Sequence, residues 1–566
     1  MTKTYKALFV LSLLLLTILN LKAQDKLLDI MSDELNRNFS ELKLHEMPPY
    51  FISYRIEDVK TFSVSASFGN ITSSSESNKR TLTVQTRVGD KTLDNFHELR
   101  DNYSDFMGDS YEGSSMPLDD NPIAVKQSLW LETDMQYKKA IDRFSKVKAN
   151  VAVKIESEDK AVDYSVSKIV NYIELAVNPD DIIFNRSQWE ERVKKYSKLF
   201  LNDPDIFNST VAVSYTIRRK YFVSSDGSKI AENEINIRIF VEGTIQAKDG
   251  MDLPLYRSYY AFKPEELPSD ELLTKDVQAL VSKLTELKNA PMADAFTGPA
   301  ILTGEAAGVF FHEIFGHRVE GQRQKQESDA QTFKRKIGQE VLPADLTVIF
   351  DPTIKKYRGF EMNGFYVYDD EGVKSEKVVV VDKGILKDFL MSKCPIDSFP
   401  KSNGHGRAAA GKQPVTRQSN LIVETSKPYS IKELRQMLID EAKKQGKEYG
   451  YLFKTVEGGF TMTGRYVPNS FNITPLEVYR IYVDGRPDEL VRGVDMVGTP
   501  LAMFSEIVAA GEDAEVFNGT CGAESGGVPV SSVTPSLFVK KVETQRKAKE
   551  QDRPPVLPRP DISKPQ

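Results

Sequence analysis

The chain has 566 residues, 40% of them hydrophobic and 28% charged, which is too long for one ordinary core and too balanced for a disordered or multi-spanning membrane protein. Its 75 lysines and arginines against 81 aspartates and glutamates leave a net charge of −6, scattered with no basic stripe able to follow a phosphate backbone. Nucleic acid is therefore not an expected partner.

At the N-terminus, Lys3 and Lys6 precede the apolar run ALFVLSLLLLTILNL, and Ala23 offers a small residue before a cut at Gln24. This pattern reads as a secretory signal peptide over residues 1–23, and no cysteine follows the cut to suggest a lipid anchor. The expectation is an exported, periplasmic chain without a stable membrane span. Asp25 to Leu44 has the apolar spacing of an amphipathic helix. SVSASFG, RTLTVQTRV and NVAVKIES carry the period-two alternation of strands, whereas Ile123 to Val147 and Gln188 to Phe200 read as long helices. From Ser209 the chain reads as an antiparallel meander with turns at Asp226–Gly227 and Asp249–Gly250, closed by a helix from Asp270 to Leu287. KNAPMADAFTGP then marks a boundary, giving a mixed α/β domain over 24–290 and a second, β-rich domain over 291–545. RPPVLPRPDISKPQ, within 546–566, has the composition of a disordered tail. The fold class expected is α+β in two domains.

The second domain opens with a short strand, PAIL, followed by Thr303 as N-cap and a helix from Gly304 to Phe315 that carries FHEIFGHRVEG. His312 and His317 flank Glu313 as in the metalloprotease pattern HExxH, but one residue further apart. On a regular helix a spacing of five turns the second ring about 140° from the first, against about 40° for a spacing of four. A π-bulge, or a helix that loosens at its last turn, restores a shared face, and Gly316 stands where a tolerant backbone is wanted. Two imidazoles and a neighbouring carboxylate suit zinc and a proton acceptor, but an open zinc site needs a third protein ligand. His45, His97, His405, Cys394 and Cys521 are available, and Cys521 ranks first because its glycine-rich NGTCGAESGG lets a thiolate approach a helix closely. A Cys394–Cys521 disulfide competes with that reading, and hydrogen-bonded core histidines compete with the metal altogether.

GPAILTGEAAGVFFHEIFGHRVEG resembles the hallmark of the TldD/PmbA family of metallopeptidases. The similarity continues through FEMNGFYVYDDEGV, VVDKGILKDFLMSK, GHGRAAA and NGTCGAESGGVPVSSVTPSLFVKKVE. The resemblance implies zinc held by His312, His317 and Cys521, with Glu313 as general base, and it argues against the disulfide. It also implies a TldD-type catalytic subunit acting on peptides or unfolded chains within a cavity between paired subunits, either a homodimer or a heterodimer with a TldE/PmbA-like subunit. His405 and Arg407, in the loop block NGHGR, stand as candidate substrate-binding residues. A noncatalytic envelope protein, with a metal or disulfide that only fixes the fold, is the alternative.

Three further signals carry less. GRAAAGK has the spacing of a phosphate-binding loop, but Gln413 replaces the hydroxyl residue that would hold magnesium, and no GxSxG elbow is present. Asp369, Asp370 and Glu371 read as a solvated turn in preference to a calcium site.

Overall fold

The computed structural model describes residues 25–99, 111–152, 159–178, 184–547 and 557. The signal-peptide segment and nearly all of the proline-rich tail lie outside the described residues. Among those described, no helix is long and apolar enough to cross a membrane.

The N-terminal half is built on one seven-stranded sheet. Helix α1 (Lys26–Leu42) is capped by the Asp25 side chain and leads into β1 (Pro49–Ser67) and β2 (Asn70–Val88). Helix α2 (Pro122–Ala152) and α3 (Arg186–Lys198) follow, then the long meander β3 (Ile206–Ser224), β4 (Lys229–Gln246) and β5 (Asp252–Ala261), and α4 (Asp270–Asn289). The meander is antiparallel as expected, with β1 paired to β3 and β3 to β4. Of NVAVKIES, Asn150 to Ala152 form the last turn of α2, not a strand, because a two-residue alternation cannot outweigh a helix already 28 residues long, and the rest lies outside the described residues. Pro122 opens that helix, where its missing N–H costs nothing.

Strand periodicity divides the sheet into two unlike faces. Ile52, Tyr54, Ile56, Val64 and Ala66 of β1, with Val211, Val213, Tyr221 and Val223 of β3, all point to one face. All four helices cover that face, α1 and α2 at one end, α3 and α4 at the other. The opposite face is charged, with Arg55 and Glu57 on β1, Arg218 and Lys220 on β3, and Glu232, Glu234 and Arg238 on β4. It packs against the C-terminal half: Arg55 donates to the carbonyls of Ala409 and Lys412, and Lys220 lies 3.1 Å from Asp370.

The C-terminal half holds two larger sheets around one helix. After β6 (Phe296–Leu302) comes α5 (Gly304–Ile314), then β7 (Leu346–Phe350), β8 (Val378–Asp382), β9 (Asn420–Thr425) and α6 (Ile431–Lys444). Next are β10 (Tyr449–Thr461), β11 (Phe471–Tyr482), β12 (Val494–Gly498), β13 (Ile507–Gly511), β14 (Glu515–Ala523), β15 (Gly526–Thr534) and β16 (Leu537–Arg546). Strands β6, β10, β11, β12 and β16 pair in that order, and β16 pairs back onto β6, so the five close into a ring. The other sheet runs β8, β7, β9, β15, β14, with β14 at its edge. Helix α5 is buried along its length between the ring and the β14–β15 hairpin, its Phe310, Phe311 and Ile314 in the main core. The architecture is α+β, with two sheet systems and the motif helix held between sheets.

Candidate metal centre

The extra residue between the motif histidines is absorbed by a break in the helix. Regular α5 ends at Ile314, Phe315 turns to φ −120°, ψ −52°, and Gly316–Val319 winds as a 3-10 turn. The tighter turn brings His317 back toward His312, whose ring centroids lie 4.9 Å apart at an interplanar angle of 86°. The helix is therefore one residue shorter than the sequence suggests, and the loosened last turn is the device used. Gly316 serves it differently from expectation: its backbone is not left-handed, but an added Cβ would fall 1.9 Å from Gln418 Oε1. The glycine clears space for Gln418.

Cys521 arrives from the edge strand β14, paired with Val528 across the hairpin, and not from a glycine-rich turn as the sequence suggests. One ligand atom from each of His312, His317 and Cys521 lies within 4.8 Å of the others, and Cys521 Sγ is 3.4 Å from His317 Nε2. Tetrahedral zinc with bonds of about 2.0–2.1 Å to nitrogen and about 2.3 Å to sulfur spaces its donors roughly 3.3–3.6 Å apart. The His317–Cys521 pair already has that spacing, and two imidazoles with a thiolate are the donors zinc prefers, so the residues fit a zinc ion. Both cysteines are free thiols, which overturns the disulfide alternative, and burial pushes the Cys394 thiol up to about 11.

Each of the three donors has its own partner, which sequence reasoning missed. Glu320, wholly buried, faces His317 Nδ1 at 3.3 Å and so leaves Nε2 toward Cys521. Arg417 donates to Cys521 Sγ at 3.2 Å, and its Nε lies 3.9 Å from Glu320 Oε1. The Gln418 amide donates to the His312 carbonyl at 3.3 Å and lies 3.4 Å from its ring Nε2. Arg323 donates at 2.7 Å to the same Glu320 oxygen that faces His317. The carboxylate three residues past His317 was a local signal; Arg417 and Gln418, about 100 residues away in sequence, left none.

The electrostatics follow from this arrangement. Burial alone would raise the Cys521 thiol, but His317, His312 and Arg417 pull it well below the usual value. Burial would likewise discharge His317, yet Cys521 and Glu320 hold its pKa well above that of free imidazole. Burial opposes the charge on Glu320 too, but His317, Arg323 and Arg417 bring it down to about 2. A thiolate and a proton-sharing imidazole are what a divalent cation competes for, since binding displaces the proton.

Glu313 is buried but lines, together with all three donors, a cleft of about 2140 Å³ between the two halves of the molecule. An added Cβ on Gly459 of β10 would lie 2.9 Å from Glu313 Cγ, so that glycine makes room for the carboxylate. The N-terminal sheet lines the cleft with Arg238, Phe240 and Glu242 of β4 and Tyr256, Ser258 and Tyr260 of β5. His405 and Arg407 are not in it. His405 is wholly buried, bonded to Asn403 and to Ser419 Oγ, with burial and Arg407 driving its pKa down to about 3. Arg407 donates to the Gln418 carbonyl and packs over Tyr366. Both brace the segment that delivers Arg417 and Gln418, which corrects the substrate-binding expectation.

Asp369, Asp370 and Glu371 are also buried, not a solvated turn: Asp370 pairs with Lys220, and Asp369 accepts the N–H groups of Glu371 and Val373.

Residues 296–546 match the model of the PmbA/TldA metallopeptidase C-terminal domain. A metalloprotease of Methanocaldococcus jannaschii is 29% identical over 357 residues, 62% of this chain and 73% of that protein. A zinc metalloprotease TldD homolog of Saccharolobus solfataricus is 24% identical over 252 residues, 43% of this chain and 51% of that protein, so about half of its length lies outside the match. TldE from Thermococcus kodakarensis shares the fold, with a TM-score of 0.58 at 14% identity over 91% of this chain and 100% of that one. The match to the PmbA/TldA metallopeptidase C-terminal domain thus covers the part of the chain that holds the metal centre.

Proposed function

We propose, from those similarities and from the site, that the chain is an exported zinc-dependent peptidase acting on peptides or unfolded polypeptide segments. The convergence of His312, His317 and Cys521 beside Glu313, on the wall of one large cleft, is the observation that carries the reading. His312, His317 and Cys521 hold the zinc. When bound, it polarises the scissile carbonyl and makes water more acidic. Glu313, next to His312, takes the proton from the attacking water and returns it to the leaving amine.

Two strand edges support a peptide substrate. Strand β10 pairs with β6 only at Tyr451–Phe453, and its later residues Glu457–Thr461 line the cleft. Strand β14 pairs among the described residues with β15 alone and lines the cleft with Phe517–Ala523, although Asn363 and Arg417 already donate to the carbonyls of Gly519 and Cys521. Unpaired edges accept extended chains through backbone hydrogen bonds, which suits an unfolded substrate. Export rests on the apolar N-terminal segment, and pairing with a second copy or with a TldE/PmbA-like subunit rests on the resemblance to that family.

The test is hydrolysis of an unstructured peptide by the zinc-loaded full-length chain and by Glu313→Gln. Turnover falls about 10²–10⁴-fold while zinc content stays unchanged. Undiminished hydrolysis by the variant contradicts the assignment.

A further inference from the structure

The N-terminal sheet brings to the cleft an arginine that has no ion-pair partner among the described residues. Strands β4 and β5 turn Arg238, Phe240, Tyr256, Ser258 and Tyr260 into the cleft. Both strands are pinned across the metal centre. Asn236 of β4 bonds Asn363, which donates to the carbonyl of Gly519, two residues from Cys521. The Tyr256 hydroxyl of β5 donates at 3.0 Å to the carbonyl of Val456, three residues before the glycine that abuts Glu313. Arg238 lies next to Asn236 on the same face of β4, which places it on the Cys521 side of the cleft.

Its side chain is held in one pose. The guanidinium carbon lies 4.9 Å from the Phe240 ring centroid and 5.3 Å from that of Tyr260, and Nε donates to Ser258 Oγ at 2.9 Å. Phe240 is itself stacked on Tyr256. Aromatic flanks and an anchored Nε leave the two terminal nitrogens as a planar fork, the geometry that grips a carboxylate at two points. Of the other arginines lining this cleft, Arg87 pairs with Asp94, Arg323 with Glu320, Asp329 and Glu524, and Arg143 donates to the carbonyls of Asn95 and His97. No carboxylate of the described residues forms an ion pair with Arg238.

We propose that Arg238 is a carboxylate-binding subsite of the cleft, reading a negatively charged group on the bound peptide. The inference deepens the peptidase reading and rests on it for the nature of the ligand. Two sources carry that chemistry, the free C-terminal carboxylate and an Asp or Glu side chain. A pre-set fork costs little ordering on binding, so removing it weakens peptides bearing the carboxylate by about tenfold to a hundredfold and spares those without it.

The experiment uses full-length, zinc-loaded protein and one unstructured peptide sequence in three forms. They are a free C-terminus with an internal Glu, the C-terminal amide with the same Glu, and the amide with Gln in place of Glu. Dissociation constants are measured on the Glu313→Gln background, and kcat/KM on the otherwise native chain, each with Arg238 present and as Arg238→Met, which keeps the apolar stem. A loss confined to the first form assigns the C-terminal carboxylate, and a loss shared by the first two but not the third assigns the side chain. An equal loss for all three forms, or none for any, overturns the proposal. Because binding is read separately from turnover, absent hydrolysis by the native chain contradicts the peptidase reading and leaves the binding comparison to decide the subsite.

Discussion

Two buried charge clusters of this molecule look alike in composition and differ in what they are for. At the contact between the halves, Lys220 meets Asp370 at 3.1 Å and Glu232 at 3.2 Å, and Arg55 meets Glu57 at 3.3 Å. Each of these charges faces its opposite. At the metal centre, three lone-pair donors converge within 4.8 Å, with Arg417 behind Cys521 and with Glu320, itself held by Arg323, behind His317. A cluster in which unlike groups meet is complete and holds the fold. One in which like donors meet, each backed by its own partner, is built for a cation. Burial and charge alone do not separate the two; direction does.

Breaking the first cluster has the largest expected effect on stability. Lys220→Met removes one partner from a buried network and leaves Asp370 and Glu232 facing each other, which costs about 3–5 kcal/mol in denaturant unfolding. Zinc content of the folded variant stays as in the native chain; a variant that loses zinc without losing stability would erase the distinction between the clusters. Glu320→Gln acts in the opposite sense. It removes the charged acceptor at His317 Nδ1 and weakens zinc binding about 10–100-fold in a chelator competition. Unaltered zinc affinity would show that Glu320 belongs with the structural charges.

The smallest effect concerns the brace behind the centre. His405 is neutral when folded, with a pKa of about 3 against the ordinary 6.5. Below pH 6.5 the unfolded chain binds a proton that the folded one does not, so the contribution of this residue to stability is complete above pH 6.5 and is lost as pH falls toward 3. His405→Gln flattens the fall in stability over that window, as read from unfolding midpoints, and a slope identical to that of the native chain would exclude the buried histidine as its cause.

Much of the site was legible in the sequence because its donors belong to short, chemically loaded motifs. His312, Glu313 and His317 stand within one turn and a half of chain, and Cys521 stood out among few thiols. The period-two runs placed the meander from β3 to β5 for the same reason, since alternation is a local property. What stayed hidden was set by partners far along the chain. Asp369 to Glu371 read as surface because Lys220 lies some 150 residues away, and His405 read as a candidate ligand because its burial under Tyr366 and Ser419 is a tertiary fact. Arg417 and Gln418 had no pattern to betray them. The spacing of the two histidines was the one place where local geometry raised the right difficulty, and the break at Phe315 answers it.

The most direct test of the account is the zinc content of the purified full-length chain beside that of Cys521→Ser, with folding checked by circular dichroism. One zinc per native chain, lost from a folded Cys521→Ser variant, is the predicted result. A native chain that binds no zinc at saturating metal, or a variant that retains it with undiminished affinity, would contradict a centre made of two imidazoles and a thiolate.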